Sequence, residues 1–266
     1  MASEFFISAF ENWENSMTDT IAKLNTESRE MEGLALRVIN ELSKNSSIDA
    51  RKKIEETSAW LAEITATSTT FSHEKALEAL TKKGISRDVL VDHCIPEAAR
   101  MLGKAWTDNL RDFGTVTLGA ARLQSLLQDL IEERSPKDIT GEEAGIMLIV
   151  CQSEDHMLGA LVLSDQLRRR AYSVKVLYGA TESEVINKLS GCYYDLILFS
   201  CSGLVALEKT AEVIHKVKQE IQDPPPVILG GPVLDVDEEM VRQRVKHADI
   251  ITKDINRALQ CLGKGK

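Results

Sequence analysis

Ala144-Gly-Ile-Met-Leu-Ile-Val150, Cys151-Gln-Ser-Glu-Asp-His-Met-Leu-Gly159 and Ala160-Leu-Val-Leu-Ser-Asp-Gln-Leu167 form one continuous stretch, and its reading decides the fold. The first part is an unbroken apolar run, the pattern of a parallel strand buried on both faces. The last part carries its apolar residues at the spacing of an amphipathic helix. A tight loop joins them, so His156 lies at the carboxyl end of a strand, the edge at which open α/β sheets bind ligands. Glu154 stands two residues before the histidine. An acid so placed accepts the Nδ1 proton and leaves Nε2 free for a metal. Gly159 lets a bulky group pass close to the backbone. Taken alone, E-x-H-x-x-G also describes an ordinary polar loop histidine.

Downstream the same rhythm repeats. Strands are expected near 144–151, 173–178, 194–201, 226–231 and 249–252, with helices beginning near Met157, Glu182, Val205, Asp237 and Asn256. This alternation predicts a parallel sheet covered on both faces. Upstream the pattern is helical. Met31–Leu42 has a period near 3.6, and Ser47 opens a helix carrying Ile54, Trp60, Leu61 and Ile64. Ser72 caps a third helix that Gly84 ends. Ser86–Trp106 forms a fourth, which Pro96 is expected to kink or divide. A fifth runs from about Val116 to Glu133 with Leu118, Leu123, Leu126, Leu127 and Leu130 toward the core. The fold class is therefore α + α/β: an N-terminal helical bundle, then a Rossmann-like, flavodoxin-type domain with a five-stranded parallel sheet. The expected boundaries are 1–28 for an aromatic helical extension (Phe5, Phe6, Phe10, Trp13), 29–135 for the bundle and 143–266 for the Rossmann-like domain, with Arg134–Gly141 as linker.

Composition excludes several classes of function. The chain of 266 residues is 43% hydrophobic and 27% charged, as in ordinary globular proteins. No apolar run approaches the roughly 20 residues of a membrane span, and the first residues lack the features of a secretion signal, so the expected compartment is the cytoplasm. The net charge of −9 argues against direct DNA binding. The basic runs Arg168-Arg-Arg170 and Arg51-Lys-Lys53 read as solvated helix faces, and no helix-turn-helix pattern is present. Five scattered cysteines without C-x-x-C fit neither a disulfide framework nor a zinc site. Cys94, Cys151 and Cys201 read as small buried hydrophobes, with a redox role as the alternative for the two at strand ends. Oligomeric state, a homo-oligomer included, is not legible.

Two further motifs stand at the same sheet edge. Ser202-Gly-Leu204 follows the third strand, with 42 residues between Gly159 and Ser202. Gly230-Gly231 closes the fourth strand, with 25 residues between Leu204 and Gly230. Together with Glu154-Asp155-His156 and Gly159, they resemble the cobalamin-binding signature D-x-H-x-x-G, S-x-L, G-G. The resemblance implies a corrinoid bound with its own base off the metal and its nucleotide tail in a slot of the Rossmann-like domain. His156 would then be the lower axial ligand, and Ser202 would hydrogen-bond the buried base. Glycines 159, 230 and 231 would line the slot, so that Gly231→Val would fold yet fail to hold the tail. The chain departs from the family in carrying Glu154 where Asp is usual.

Ile95–Gln124 resembles the helical module that covers the upper face of the corrin ring in such proteins. Trp106 is the expected cap, although periodicity alone also accommodates a core tryptophan joining two helices. Where light-sensing cobalamin repressors carry Glu-His, this chain has Val116 and Thr117. Phe113-x-x-Val-Thr-Leu-Gly-x-x-Arg-Leu-Gln124 instead resembles the AerR/PpaA antirepressors of photosynthetic bacteria. That resemblance implies a non-enzymatic regulator that binds adenosyl-, methyl- or hydroxocobalamin and acts on a repressor of photosynthesis genes. A related branch of the same architecture binds haem, which His156 would also ligate. The enzymatic alternative is a corrinoid carrier of a methyltransferase system. A phosphoryl receiver is set aside, because Ser200-Cys-Ser202 occupies the place of its aspartate.

Overall fold

The computed structural model describes residues 48–132, 144–152, 154 and 156–263. The expectations for 1–28, for Met31–Leu42, for the linker and for Asp155 lie outside these residues. The chain divides into two compact units, 1–56 and 57–266. Helix α1 spans 48–67, and its residues 57–67 belong to the second unit. There it buries Thr57, Ser58, Leu61, Ala62, Thr65 and Ala66, a face made mostly of small side chains. Gly119 of helix α5 (Phe113–Glu132) exploits that smallness: a Cβ on it would lie 2.8 Å from Leu102 Cδ1 and 3.5 Å from Ala66 Cα.

Helix α2 (His73–Lys82) begins and ends as the sequence predicts. The Ser72 hydroxyl accepts from the Lys75 N–H. Gly84 adopts φ +64°, and the N–H groups of Gly84 and Ile85 donate to the Thr81 and Leu80 carbonyls, a Schellman closure. The stretch around Pro96 is divided, as expected, but by a change of helical register and not by an interruption. Helix α3 (Arg87–Val89) runs through a π turn, Leu90–Cys94, into α4 (Ile95–Thr107) without a break. The widened turn, with Ile95 N–H donating to Leu90 O, precedes the proline, which falls in the first turn of α4. A proline there forfeits no bond that the π register has not already displaced. In α5, Leu123, Leu126, Leu127 and Leu130 are buried as expected, but Leu118 is 46% exposed. It lies about 100° round the helix from Gly119, on the flank that the core does not reach.

The sheet contains β1 (Gly145–Cys151), β2 (Ser173–Ala180), β3 (Leu196–Ser200), β4 (Val227–Gly230) and β5 (Ile250–Ile251). All pairings are parallel, in the order β2-β1-β3-β4-β5. One face, through Ile149, Phe199 and Leu229, packs on α7 (Glu182–Gly191), α8 (Leu204–Glu220) and α9 (Glu238–Arg244). The other, through Leu148, Leu198 and Ile228, packs on α6 (Leu158–Arg169) and α10 (Ile255–Leu259). Among the described residues, no helix is long and apolar enough to cross a membrane.

The bundle is fastened to α6 by Arg169. Its guanidinium donates to Asp165 at 2.9 Å and to Asp92 in the π turn, and Asp88 lies 3.7 Å away. Gln166 also donates to Asp92 at 3.1 Å. Arg169 is therefore not part of a solvated basic face, which corrects the expectation for Arg168–Arg170. Burial opposes the charge of Arg169, yet the three aspartates outweigh it and raise its pKa. Removing a fork that serves Asp92 and Asp165 together is expected to cost about 2–4 kcal/mol. Urea denaturation of Arg169→Ala should show that loss, with Arg169→Lys recovering only part because an ammonium cannot fork.

Candidate functional site

The site forms where the strand order reverses. From β1 the chain turns toward α6, from β3 toward α8, and the two loops diverge to open a crevice. Glu154 reaches across it. One carboxylate oxygen accepts from the Ser202 N–H at 2.6 Å; the other accepts from the Ser202 hydroxyl at 2.6 Å and the His156 N–H at 2.8 Å. His156 Nδ1 lies 3.1 Å from that second oxygen and 3.0 Å from the Ser202 hydroxyl. The Glu154 side chain is 2% exposed and that of His156 79%. Burial pushes the Glu154 carboxyl up, but the hydrogen bonds from Ser202 and His156 together outweigh it and hold the carboxyl below its usual range. A carboxylate at Nδ1 favours the tautomer protonated there, which leaves the Nε2 lone pair free on an exposed imidazole. A buried acid that holds an exposed imidazole by Nδ1 leaves the ring able to ligate a metal through its other nitrogen.

Beneath this edge, on the α6/α10 side of the sheet, lies a cavity of about 290 Å³. Gly159, Gly230 and Gly231 border it, but they serve different ends. A Cβ on Gly159 would meet no atom within 4 Å, so no packing within the protein requires a glycine there. A Cβ on Gly230 would lie 2.9 Å from the Thr252 carbonyl oxygen, and one on Gly231, at φ +117°, 2.2 Å from that of Cys201. Gly231 is therefore required by the backbone itself, which overturns the expectation that Gly231→Val would fold normally. Leu204 is the first residue of α8 and is 37% exposed. Trp106, near the end of α4, is 50% exposed and meets Phe113 edge-to-face at 6.0 Å. Leu110 and Leu118 are exposed as well. Val116 is half-buried and Thr117 exposed.

Cys151 and Cys201, at the ends of adjacent strands, are buried, and burial pushes both thiols up to about 11. Thiolate is scarce at neutral pH in such surroundings, so both pack as small hydrophobes. Sequence reasoning missed Ser200, Thr252, Lys253 and Asp254, which also line the cavity. Their position at the carboxyl ends of β3 and β5 was the available signal.

An open parallel sheet with a braced histidine at its switch point and a cavity behind it is the layout of a domain that binds a small ligand at its carboxyl edge. Residues 145–260 match the family described as B12 binding domain. The chain is 30% identical over 170 residues to an uncharacterized 20.5 kDa protein in the bchF–crtJ intergenic region of Rhodobacter capsulatus, covering 63% of this chain and 86% of that one. Its fold is similar to that of the monomethylamine corrinoid protein of Methanosarcina barkeri, with a TM-score of 0.59, 12% identity and coverage of 77% and 96%. A cobalamin-binding protein of Desulfitobacterium hafniense matches with a TM-score of 0.40, 16% identity and coverage of 79% and 97%. The chain belongs to the AerR/PpaA-like family of cobalamin-binding proteins.

The residues present fit that cofactor: an exposed imidazole held at Nδ1, and a cavity beside a glycine whose missing side chain nothing in the protein fills. Gly159→Leu should retain the circular dichroism of the wild type and lose cobalamin by at least about tenfold, whereas Gly231→Val should melt early or fail to fold. Equilibrium dialysis and thermal melts separate the two outcomes. The depressed Glu154 carboxyl also sets a pH dependence. Its contribution to stability is complete above the unfolded value of about 4.3 and is lost as pH falls through its lower folded value. Glu154→Gln should flatten that acid limb in urea midpoints measured from about pH 6 to pH 3.

Proposed function

We propose that the chain is a cobalamin-dependent, light- and redox-responsive antirepressor that works through a protein partner, a repressor of photosynthesis genes, without touching DNA. His156 is its lower axial ligand and Trp106 covers the upper face of the ring. The observation that carries the ligand assignment is the 79% exposed imidazole whose Nδ1 is held by a buried carboxylate. Support for the cap comes from Trp106 itself, since a tryptophan serving only the core would not keep half its surface in water. The relative's gene lies between bchF and crtJ, in a photosynthesis gene cluster. The net charge of −9 favours a protein partner over a nucleic acid.

Bound alkylcobalamin supplies a photolabile cobalt–carbon bond. The protein's part is to present Trp106 and Phe113 to the upper ligand and to keep His156 in one orientation. Val116 and Thr117 are poor metal ligands, so neither would hold the cobalt and no second histidine ligation would appear on illumination. Altered contact at Trp106 acts on α4, which continues directly from the π turn that Arg169 ties to α6. The rival is a corrinoid carrier, for which the fold shared with the Methanosarcina barkeri protein speaks. A carrier's cobalt must be reached by a partner's active site, and a tryptophan over the upper face works against that.

Absorption spectra of the full chain with methyl-, adenosyl- and hydroxocobalamin and with haem, in darkness and after blue-green light, test the reading. His156→Ala should remove the signature of histidine ligation; an unchanged spectrum sinks the lower-ligand assignment. Trp106→Ala should keep that signature while changing photolysis or upper-ligand preference, through loss of an apolar contact worth about 1–3 kcal/mol. If it matches the wild type dark and illuminated, and methyl passes to a thiol acceptor, the carrier reading replaces the sensor.

A further inference from the structure

We infer that a second cavity, between α5, α6 and β2, binds a small amphipathic acid, with its carboxylate on Arg168 and its hydrocarbon on the apolar floor beside it. This cavity shares no lining residue with the one at the carboxyl edge, and the inference does not rest on the cobalamin reading. Its volume is about 450 Å³, within the range of small-molecule sites. The fold explains its position. β2 is an edge strand, so its outer side has no neighbouring strand. Val174 and Val176 lie on the sheet face that packs on α6, and alternation puts Tyr178 on the same face. Ile131, in the last turn of α5, and Leu161 of α6 complete the floor. The four aliphatic side chains are only half-buried, and Tyr178 is 40% exposed. Packing within the chain thus stops short of covering this floor, which leaves apolar surface for an apolar occupant to remove from water.

The rim selects the charge of that occupant. Arg168 Nη2 donates to the Val174 carbonyl at 3.3 Å, which lays the guanidinium along the edge of β2. Arg168 and Lys175 border the cavity together with Glu132, and none of the three enters an ion pair among the described residues. Burial pushes the Tyr178 phenol up, so it adds no negative charge at neutral pH. Two positive charges against one negative make this rim cationic on a chain of net charge −9. The N–H groups of Arg168 that the Val174 carbonyl does not take suit a carboxylate in forked geometry. An alcohol of the same length would leave the guanidinium without its anion, and acetate would leave the floor in water. A molecule with both parts satisfies the whole site, and it would touch the bundle through α5 and the sheet through β2.

Calorimetric titration of the full-length chain with decanoate, decanol and acetate, below the concentration at which micelles form, tests this. Decanoate should bind once per chain, and decanol and acetate at least about tenfold more weakly. Arg168→Gln should lose decanoate by at least about tenfold and leave decanol unchanged. Val176→Thr, which keeps the shape of the floor, should weaken decanoate and decanol alike by about threefold. Circular dichroism and thermal melts should show both variants folded. Saturating hydroxocobalamin, or His156→Ala, should leave decanoate affinity as it is. Absence of saturable decanoate binding, wild-type affinity in either cavity variant, or displacement of decanoate by hydroxocobalamin overturns the inference. The cobalamin reading stands or falls separately, on the spectra of the His156 variant.

Discussion

A single buried carboxylate ties together two loops that the topology drives apart. At a switch point, the segments leaving β1 and β3 run to opposite faces of the sheet, and nothing in the strand pairing holds their tips. Glu154 holds them by accepting four hydrogen bonds, two from each side. Moving a carboxylate out of water is costly, and only saturation of its lone pairs offsets that cost. The glutamate side chain has the reach to take both the Ser202 N–H and the His156 imidazole.

The two faces of the sheet divide the work. The face toward α7, α8 and α9 is close-packed and takes in both strand-end cysteines, which burial keeps as thiols. The face toward α6 and α10 carries the same kind of aliphatic residues but leaves a cavity at its carboxyl edge, where β5 is only two residues long. A short edge strand and a short final helix cover less of that end, and the space remains. Its glycines have separate physical origins: Gly231 answers a backbone crossing against Cys201, and Gly159 answers nothing in the protein.

The bundle contributes through position. A π turn and an arginine fork join it to the helix that begins at the histidine loop. Its exposed aromatic and aliphatic residues, Trp106, Leu110, Phe113 and Leu118, gather near the α4–α5 turn. Such a group costs hydration free energy unless something apolar covers it.

Much of the architecture was legible because it depends on local pattern. Unbroken apolar runs gave the strands, and Ser72 and Gly84 marked a helix from end to end. The motifs placed His156, Ser202 and Gly230-Gly231 at one edge. What the pattern does not encode is direction and distance between segments far apart in sequence. It assigned Leu118 to the core, because spacing identifies a stripe but not its width. It read Arg169 as a surface charge, since its partner Asp92 lies 77 residues away and meets it only once α6 docks on the π turn. It treated three glycines alike, although only the packed backbone tells a glycine required by a carbonyl oxygen from one required by open space. The sequence by itself determined that His156, Ser202 and Gly230-Gly231 stand at the carboxyl edge of the sheet. Tertiary structure decided which of them Glu154 binds into one network, because hydrogen bonds of under 3 Å depend on how two diverging loops are finally packed.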